Sequence, residues 1–494
     1  MAVQTFIAGA GQHTWRDDAE APHPAAAMAR ACSLALRDAD VDAGELDLIG
    51  CVESLSWTYP DLVGAVASEL SLDDSVEHLW VPAGGTSPQD MLHQIGARIA
   101  AGELRCAVIC GPESMRTRRR MARQDKKPAW PARAPDLHPM GGQPRFSSEL
   151  ERRHGLREPI HVFPLLENAI RAAKGRTQEQ QTAVAASLLA KNAKVAQRNP
   201  HAWFHDAPSR EEIATVTPAN RMIVFPYTKR MNAIMDVDQC AAILVVSKSW
   251  LEERGGSNRA AAVLGGTGVE EIWNPIERNT FATCPAMKRA FDITLDRSGL
   301  VADDIDAMDL YSCFPSPIQL GLDALGSDVD DERPVSLTGG LAFAGGPGNA
   351  YVLHALATAL TNIRERPESR LLVTGIGMAN TKHAATVLTG AGHIPETASG
   401  ETSYRETLGE TPRNLASEAQ GRAGISTYTI EYARDGSPSN IILFLDLANG
   451  KRTVANMADV AQGAARLLAG EPVGAQGTAV YDKASGRNVF AFDR

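Results

Sequence analysis

Few residues of this 494-residue chain are placed for covalent chemistry, and the two segments most strongly patterned for a site are built of glycine. PAGGTSPQ at 82–89 and GGLAFAGGPGNA at 339–350 each precede a stretch with helical periodicity. Glycines there allow positive φ and close backbone packing, and they equally leave main-chain amides aimed at a thioester oxygen or a phosphate at a helix N-terminus. Neither segment has the spacing of a Walker or dinucleotide-binding loop. The titrating candidates lie elsewhere. Tyr311, in DLYSCF at 309–314, is a phenol that can donate to a carbonyl, or accept a hydroxyl proton if a neighbour lowers its pKa from about 10. It also reads as a buried tyrosine closing a strand. Cys313 falls on the same strand face and, with no base in view, reads as an inert thiol. In LLVTGIGMANTKH at 371–383, Lys382 and His383 are the titrating pair, and His383 is the candidate base, set against its reading as a surface or core imidazole. A further run, RTRRRMARQDKKPAWPAR at 116–133, holds eight basic residues against one acidic. It reads either as a solvated face or as a cradle for an anion such as the phosphates of coenzyme A, with Arg118, Arg119, Arg120 and Arg123 as contacts.

The elements that must hold these residues alternate. Strands are predicted at Thr5–Ala10, Leu46–Val52 and Arg105–Cys110, and helices at His23–Asp38, Leu62–Leu70 and Pro88–Ala101. The pattern returns after 284, with helices at Pro285–Ser298, Pro317–Leu325 and Ala350–Thr361 and strands at Asp306–Tyr311 and Leu371–Gly375. Each half sets a glycine-rich turn before its third helix, so the chain reads as one α/β fold duplicated, its sheets covered on both faces. Residues 116–235 between the halves read as irregular, and the polar stretch after Gly390 reads as a linker. Beyond it the class changes. Strands at Ile425–Tyr432, Asn440–Leu447, Lys451–Ala455, Thr478–Tyr481 and Asn488–Phe492 are joined in part through Asp435-Gly436 and Asn449-Gly450, with a helix at Ala458–Leu468. Five strands and a helix suit a small β-rich, OB-like barrel.

Composition bounds the function. A hydrophobic content of 44% with 22% charged residues is that of a folded globular protein, and 494 residues exceed a single core. A net charge of −10 opposes a nucleic-acid binder, which needs a broad basic footprint. Seven scattered cysteines read as reduced thiols, and no His/Cys spacing supports a metal. With no basic leader and no apolar run of membrane length, the chain is expected to be soluble, untargeted and cytoplasmic.

Five landmarks in order resemble the thiolase superfamily over roughly 1–392, most closely the thiolase-like proteins near the sterol carrier protein thiolases and acetyl-CoA acetyltransferases. They are AGELRCAVICGPESM at 101–115, SLLAKNAKVAQRNPHAWF at 187–204, FPYTKRMNAIMDVDQCAAILVVSK at 225–248, DLYSCFPSPIQLGLDALG at 309–326 and SLTGGLAFAGGPGNA at 336–350. The resemblance implies a duplicated five-layer αβαβα sandwich with an additional C-terminal domain. Its N-terminal half would span 1–270 with a loop domain inserted at about 116–235, its second half 271–392, and the β-rich addition 412–494. It also implies coenzyme A or an acyl-CoA as ligand, with no permanently bound cofactor.

The catalytic positions of the family are emptied in this chain. Aligned through Thr86 and Gln89, the nucleophilic cysteine becomes Gly84; the activating histidine becomes Gly346; the second cysteine falls at Thr374-Gly375 or Gly377; and the oxyanion residue becomes Tyr311. Loss of a covalent nucleophile costs on the order of 10⁶-fold in rate, so ordinary thiolytic or Claisen chemistry is not expected. Three readings remain: an altered acyltransferase, a retro-aldolase on β-hydroxyacyl-CoA using Tyr311, and a non-catalytic CoA or acyl-CoA binder. Such retro-aldolases resemble this arrangement, work with a separate oligonucleotide-binding-fold partner, and carry a second tyrosine where this chain has Ala379. A protein partner docking through the C-terminal domain is a further expectation.

Overall fold

The duplication is written in the strand pairings of the computed structural model, which describes residues 3–17, 20–134, 144–256 and 258–493. In the first half the order is Glu77–Trp80, Leu48–Cys51, Cys106–Ser114, Asp238–Ser247, Thr5–Thr14. The second half runs Ala307–Asp309, Leu371–Gly377, Lys382–Gly390, Ala261–Glu270. Reading inward from Leu48–Cys51 and from Ala307–Asp309, both halves show one parallel pairing followed by two antiparallel ones. The second half has no assigned counterpart of Glu77–Trp80, but the amides of Met308 and Leu310 donate to Pro334 O and Val335 O at 2.8 and 3.0 Å, so the chain at 334–335 takes that place. Phe6 and Ile7 pair with Ala262 and Ala261 and join the two halves into one continuous sheet.

Between the halves lie the helices Ser87–Ala100 and Tyr351–Glu365, each packed on strands of both halves and on each other. Their first turns have no solvent face and are buried all round: Gln89 to His93 in the first, and Val352, Leu353, Ala355 and Leu356 in the second. Pro24–Asp38 covers the outer face of the first half and Pro285–Ser298 that of the second, which completes the αβαβα layering. Strand cores such as Ile243–Val246 are apolar on both sides, as expected of sheets sandwiched between helices.

Two expectations are corrected. Residues 116–235 are not irregular: Met115–Arg123, Pro159–Ala173 and Gln178–Arg198 are helices, the last opened by a capping box from Thr177 and Gln180. The segment after Gly390 is not a free linker. Thr402 bridges to Gly266, and Glu406–Thr407 pairs in parallel with Val269 and Glu270 of the second half.

The C-terminal sheet runs Arg452–Ala455, Pro438–Leu447, Gln420–Tyr432, Gln476–Asp482, Arg487–Phe492, and it is antiparallel throughout that order. Gly436 at φ +87 and Gly450 at φ +81 turn two of its hairpins. Asn456 exchanges main-chain bonds with Asn488 and Phe490, so the two ends of the order meet and the sheet curls onto itself. The sheet also recruits the main body: Val224 of the inserted segment pairs with Glu431, and helix Pro159–Ala173 packs on Gln420–Tyr432.

Candidate functional site

Both central helices start at the same place. Gly84 and Gly85 immediately precede one, Gly346 and Gly348 the other, and all four line one cavity of about 510 Å³ together with Tyr311 and Met378. The two glycine-rich segments, about 255 residues apart in sequence, thus face a common space. Each helix presents its amino end there, where the macrodipole favours a partly negative oxygen. The remaining wall is largely apolar, with Phe163 stacked on Phe314 at 4.6 Å between ring centres.

The loop at 339–350 is shaped by backbone demands. Gly339, Gly340, Gly345 and Gly348 have φ of +105, +74, +110 and +52. The amides of Gly346 and Gly348 donate to Ile234 O and Gly346 O, at 2.8 and 2.7 Å, and those of Gly339 and Gly340 to Ser336 Oγ and Thr338 Oγ1. Of the two readings of these glycines the conformational one accounts for them, since these four amides are engaged within the protein. Behind the wall, Glu113 accepts the amides of Leu55 at 2.6 Å and Ser56 at 2.9 Å, and burial pushes its carboxyl up to about 7.

Tyr311 follows the strand Ala307–Asp309 and is fixed from two sides. Its amide donates to Thr374 Oγ1 at 2.9 Å, and its ring meets Tyr351 edge-on at 5.5 Å. Tyr351 in turn donates to the buried Asp309, which also accepts the amides of Leu337 and Thr338. The Tyr311 hydroxyl stands against Gly85, where an added methyl would lie 2.6 Å from the phenol oxygen. No hydrogen bond to that hydroxyl is found among the described residues. Burial drives its pKa far above the usual tyrosine value, so at neutral pH it is a donor and not a base.

Cys313 lines the same cavity, with its thiol pKa raised by burial. His383 does not line it. Its Nε2 lies 3.2 Å from both Cys284 Sγ and Asn380 O, and burial lowers its pKa to about 3. It is a core imidazole, which corrects its candidacy as base. Gly375 lies against Gly85 and Thr86 behind the wall; the residues of its hairpin that reach the cavity are Ile376 and Met378, the latter at φ +59. Ala379 is fully buried.

The four arginines lie on one helix near the rim. Arg118 donates to Ser56 O at 3.0 Å, beside the cavity residue Leu55. Arg119 and Arg123 both reach Asp236 at 3.5 Å, next to the cavity residue Met235, while Arg120 pairs with Glu20 at 3.1 Å. Three of the four are therefore held by carboxylates, and none forms the wall. A larger open groove, of about 1060 Å³, runs between the inserted helices and the C-terminal domain, where Arg171 is paired with Glu471. It brings together no group with evident chemistry.

Sequence reasoning missed a charged cluster beneath Gly84. Thr86 Oγ1 donates to Asp90 Oδ2 at 2.9 Å, and Asp90 is paired with Arg405, which also lies 3.6 Å from Glu270. Lys382, 2% exposed, lies among these groups with its ammonium 5.7 Å from the centre of the Trp273 ring. Arg405 belongs to the segment read as a linker, and no local pattern ties it to Asp90.

A cavity at the amino ends of two symmetry-related helices, on the seam of a duplicated α/β body, sits in a fold that is thiolase-like. The chain resembles the thiolase-like proteins related to the sterol carrier protein thiolases, and its residues 407–484 match the thiolase-like protein type 1 additional C-terminal domain. It is similar to a monomeric SCP2-thiolase-like protein type 1 from Mycobacterium smegmatis, at 28% identity and a TM-score of 0.80 over 99% of both chains. The Ltp2-ChsH2(DUF35) aldolase aligns at 17% identity and a TM-score of 0.60, over 78% of this chain and 98% of that one. An acetyl-CoA acetyltransferase from Syntrophomonas wolfei aligns at 14% and 0.59, over 79% and 99%. Sterol carrier protein 2 from Rattus norvegicus is 26% identical over 139 residues, 28% of this chain. That match spans only 24% of the relative's own length.

Proposed function

We propose that this chain binds an acyl-CoA, placing the acyl thioester in the cavity between the two halves, and that it has no cysteine-based thiolase chemistry. The observation that carries this reading is the convergence of Gly84, Gly346 and Tyr311 on one largely apolar cavity entered by two helix amino ends. The apolar wall suits an acyl chain, the helix ends and the Tyr311 hydroxyl suit a carbonyl oxygen, and Arg118, Arg119 and Arg123 flank the rim where phosphates would lie. Exposed ion pairs such as those to Asp236 are worth little, so a phosphate can exchange for the carboxylate at small cost. With glycine at 84 and 346 there is neither a thiol to acylate nor an imidazole to activate it.

The test is calorimetric titration with acetoacetyl-CoA, coupled to assays of thiolysis and of β-hydroxyacyl-CoA cleavage. The reading expects saturable binding and no thiolysis; absence of binding to CoA and acyl-CoA alike overturns it. Retro-aldol cleavage is the second reading, favoured by the unshared Tyr311 hydroxyl. In it Tyr311 would stabilise the carbonyl oxygen as donor, its raised pKa being wrong for a base. Cleavage present in wild type and lost in Tyr311→Phe would select it over simple binding.

A further inference from the structure

The side chain packed against both emptied thiol positions is Lys382. A methyl built on Gly84 would lie 3.9 Å from Lys382 Cδ and 3.6 Å from Gly377 Cα. A methyl built on Gly377 would lie 3.2 Å from both Cβ and Cδ of the same lysine. Side chains at these two glycines, one at the nucleophile position and one in the hairpin of the second cysteine, would therefore meet on one aliphatic stem. Gly84 is itself cavity wall, and Lys382 lies behind that wall, 2% exposed, so that its amine reaches the cavity only by turning its flexible stem past this side-chain-free glycine.

We propose that Lys382 is a carbonyl-reactive amine serving the Gly84 cavity, able to form a Schiff base with the ketone of a β-ketoacyl thioester. The inference rests on the reading of the cavity as an acyl thioester site, but not on recognition of the CoA moiety. The neutral amine adds to the C3 carbonyl carbon, the C–N bond forms, and the former carbonyl oxygen takes up a proton. Loss of that oxygen as water, with the second nitrogen-bound proton, leaves the C=N bond.

Two carboxylates and two cations meet in this cluster. Arg405 already faces both carboxylates of the cluster, Asp90 from helix Ser87–Ala100 and Glu270 from the adjacent strand. The Lys382 ammonium also stands 5.7 Å from the centre of the Trp273 ring. Burial, reinforced by the Arg405 charge and opposed by Asp90 and Glu270, lowers the Lys382 pKa to about 8. An exposed lysine near 10.4 presents on the order of 100-fold less free amine at neutral pH.

The experiment incubates the full chain with the N-acetylcysteamine thioester of acetoacetate and sodium cyanoborohydride, which delivers hydride to the imine and leaves a secondary amine. Peptide mapping then locates the adduct. The expected result is preferential labelling of Lys382, rising steeply from pH 6 to 8 and levelling above, and absent in Lys382→Arg and Lys382→Met. Lys382→Arg keeps the cation and cannot form the imine, and thermal melts report whether either variant folds. Labelling spread over exposed Lys126, Lys127 and Lys288 without enrichment at 382 overturns the proposal, as does labelling of wild type that Lys382→Arg leaves undiminished. Acyl-CoA binding without trapping at Lys382 would remove this inference alone; trapping without CoA affinity would remove the proposed function alone.

Discussion

At the scale of single residues, the four glycines of the cavity carry unequal demands. A β-carbon on Gly84 meets nothing closer than 3.6 Å, whereas one on Gly85 would overlap Ile376 O and the Tyr311 hydroxyl. Gly84→Ala is therefore expected to change stability by less than about 1 kcal/mol, and Gly85→Ala to cost about 2 kcal/mol or more, as read by urea unfolding. Gly348, at φ +52 with Glu113 pressed against it, belongs with Gly85. Tyr311→Phe removes a hydroxyl with no protein partner among the described residues. Its expected signature is a melting temperature within about 2 °C of wild type, with acyl-CoA affinity reduced by roughly 3- to 10-fold. Tyr311 was legible because its sequence neighbourhood is distinctive. Met378 was not, because which residues of a hairpin face a cavity depends on a register that the sequence 371–383 does not reveal, and Lys382 was visible as a titrating group but not as a neighbour of Gly84.

At the scale of elements, His383 shows how a strand position overrides residue chemistry. On the buried strand Lys382–Gly390 its imidazole is held neutral, with a pKa lowered to about 3. Its folded-state pKa lies below the unfolded value near 6.5, so its contribution to stability is fully present above pH 6.5 and is lost as pH falls toward 3. In that window it adds about 1.4 kcal/mol per pH unit to acid sensitivity. A His383→Gln variant should be less stable at pH 7.5, and its stability should fall less than that of wild type between pH 6.5 and 4.5. Equal slopes in denaturant titrations would contradict the core assignment. Regular helices and strands were readable at this scale because burial imposes the 3.6 and 2-residue periods: Leu62–Leu70 and Pro285–Ser298 have the bounds their periodicity predicts. The strands Ala261–Glu270 and Lys382–Gly390 escaped, being glycine- and threonine-rich and buried on both faces, with no alternation to detect.

At the scale of the whole molecule, the C-terminal domain is part of the body's packing rather than an appendage. Asn168 Nδ2 donates to Tyr428 O at 2.9 Å, Val224 extends the C-terminal sheet, and Arg171 is paired with Glu471 across the junction. The intact chain should unfold in one calorimetric transition, and a truncation after residue 411 should lower or abolish its cooperativity by baring helix Pro159–Ala173. Arg405 binds the connecting segment to the site. Arg405→Ala leaves the buried Asp90 carboxylate without its guanidinium and should cost about 3 kcal/mol, far more than removal of an exposed pair such as Lys288–Asp292. The duplication and the change of class beyond Gly390 were visible in the sequence as repeated glycine-turn helices followed by hairpin dipeptides. The docking of 400–407 was not, because its bonds are made to residues more than a hundred positions away.

The central claim is that the cavity shared by Gly84, Gly346 and Tyr311 receives the acyl group of an acyl-CoA. The most direct measurement is isothermal titration of acetoacetyl-CoA and free CoA into wild type and Gly84→Leu, a variant that adds bulk at the cavity wall. Tighter binding of acetoacetyl-CoA than of CoA in wild type, with that preference lost in Gly84→Leu while CoA affinity persists, is the predicted result. Equal affinity for the two ligands in both proteins, or no binding of either, would contradict it.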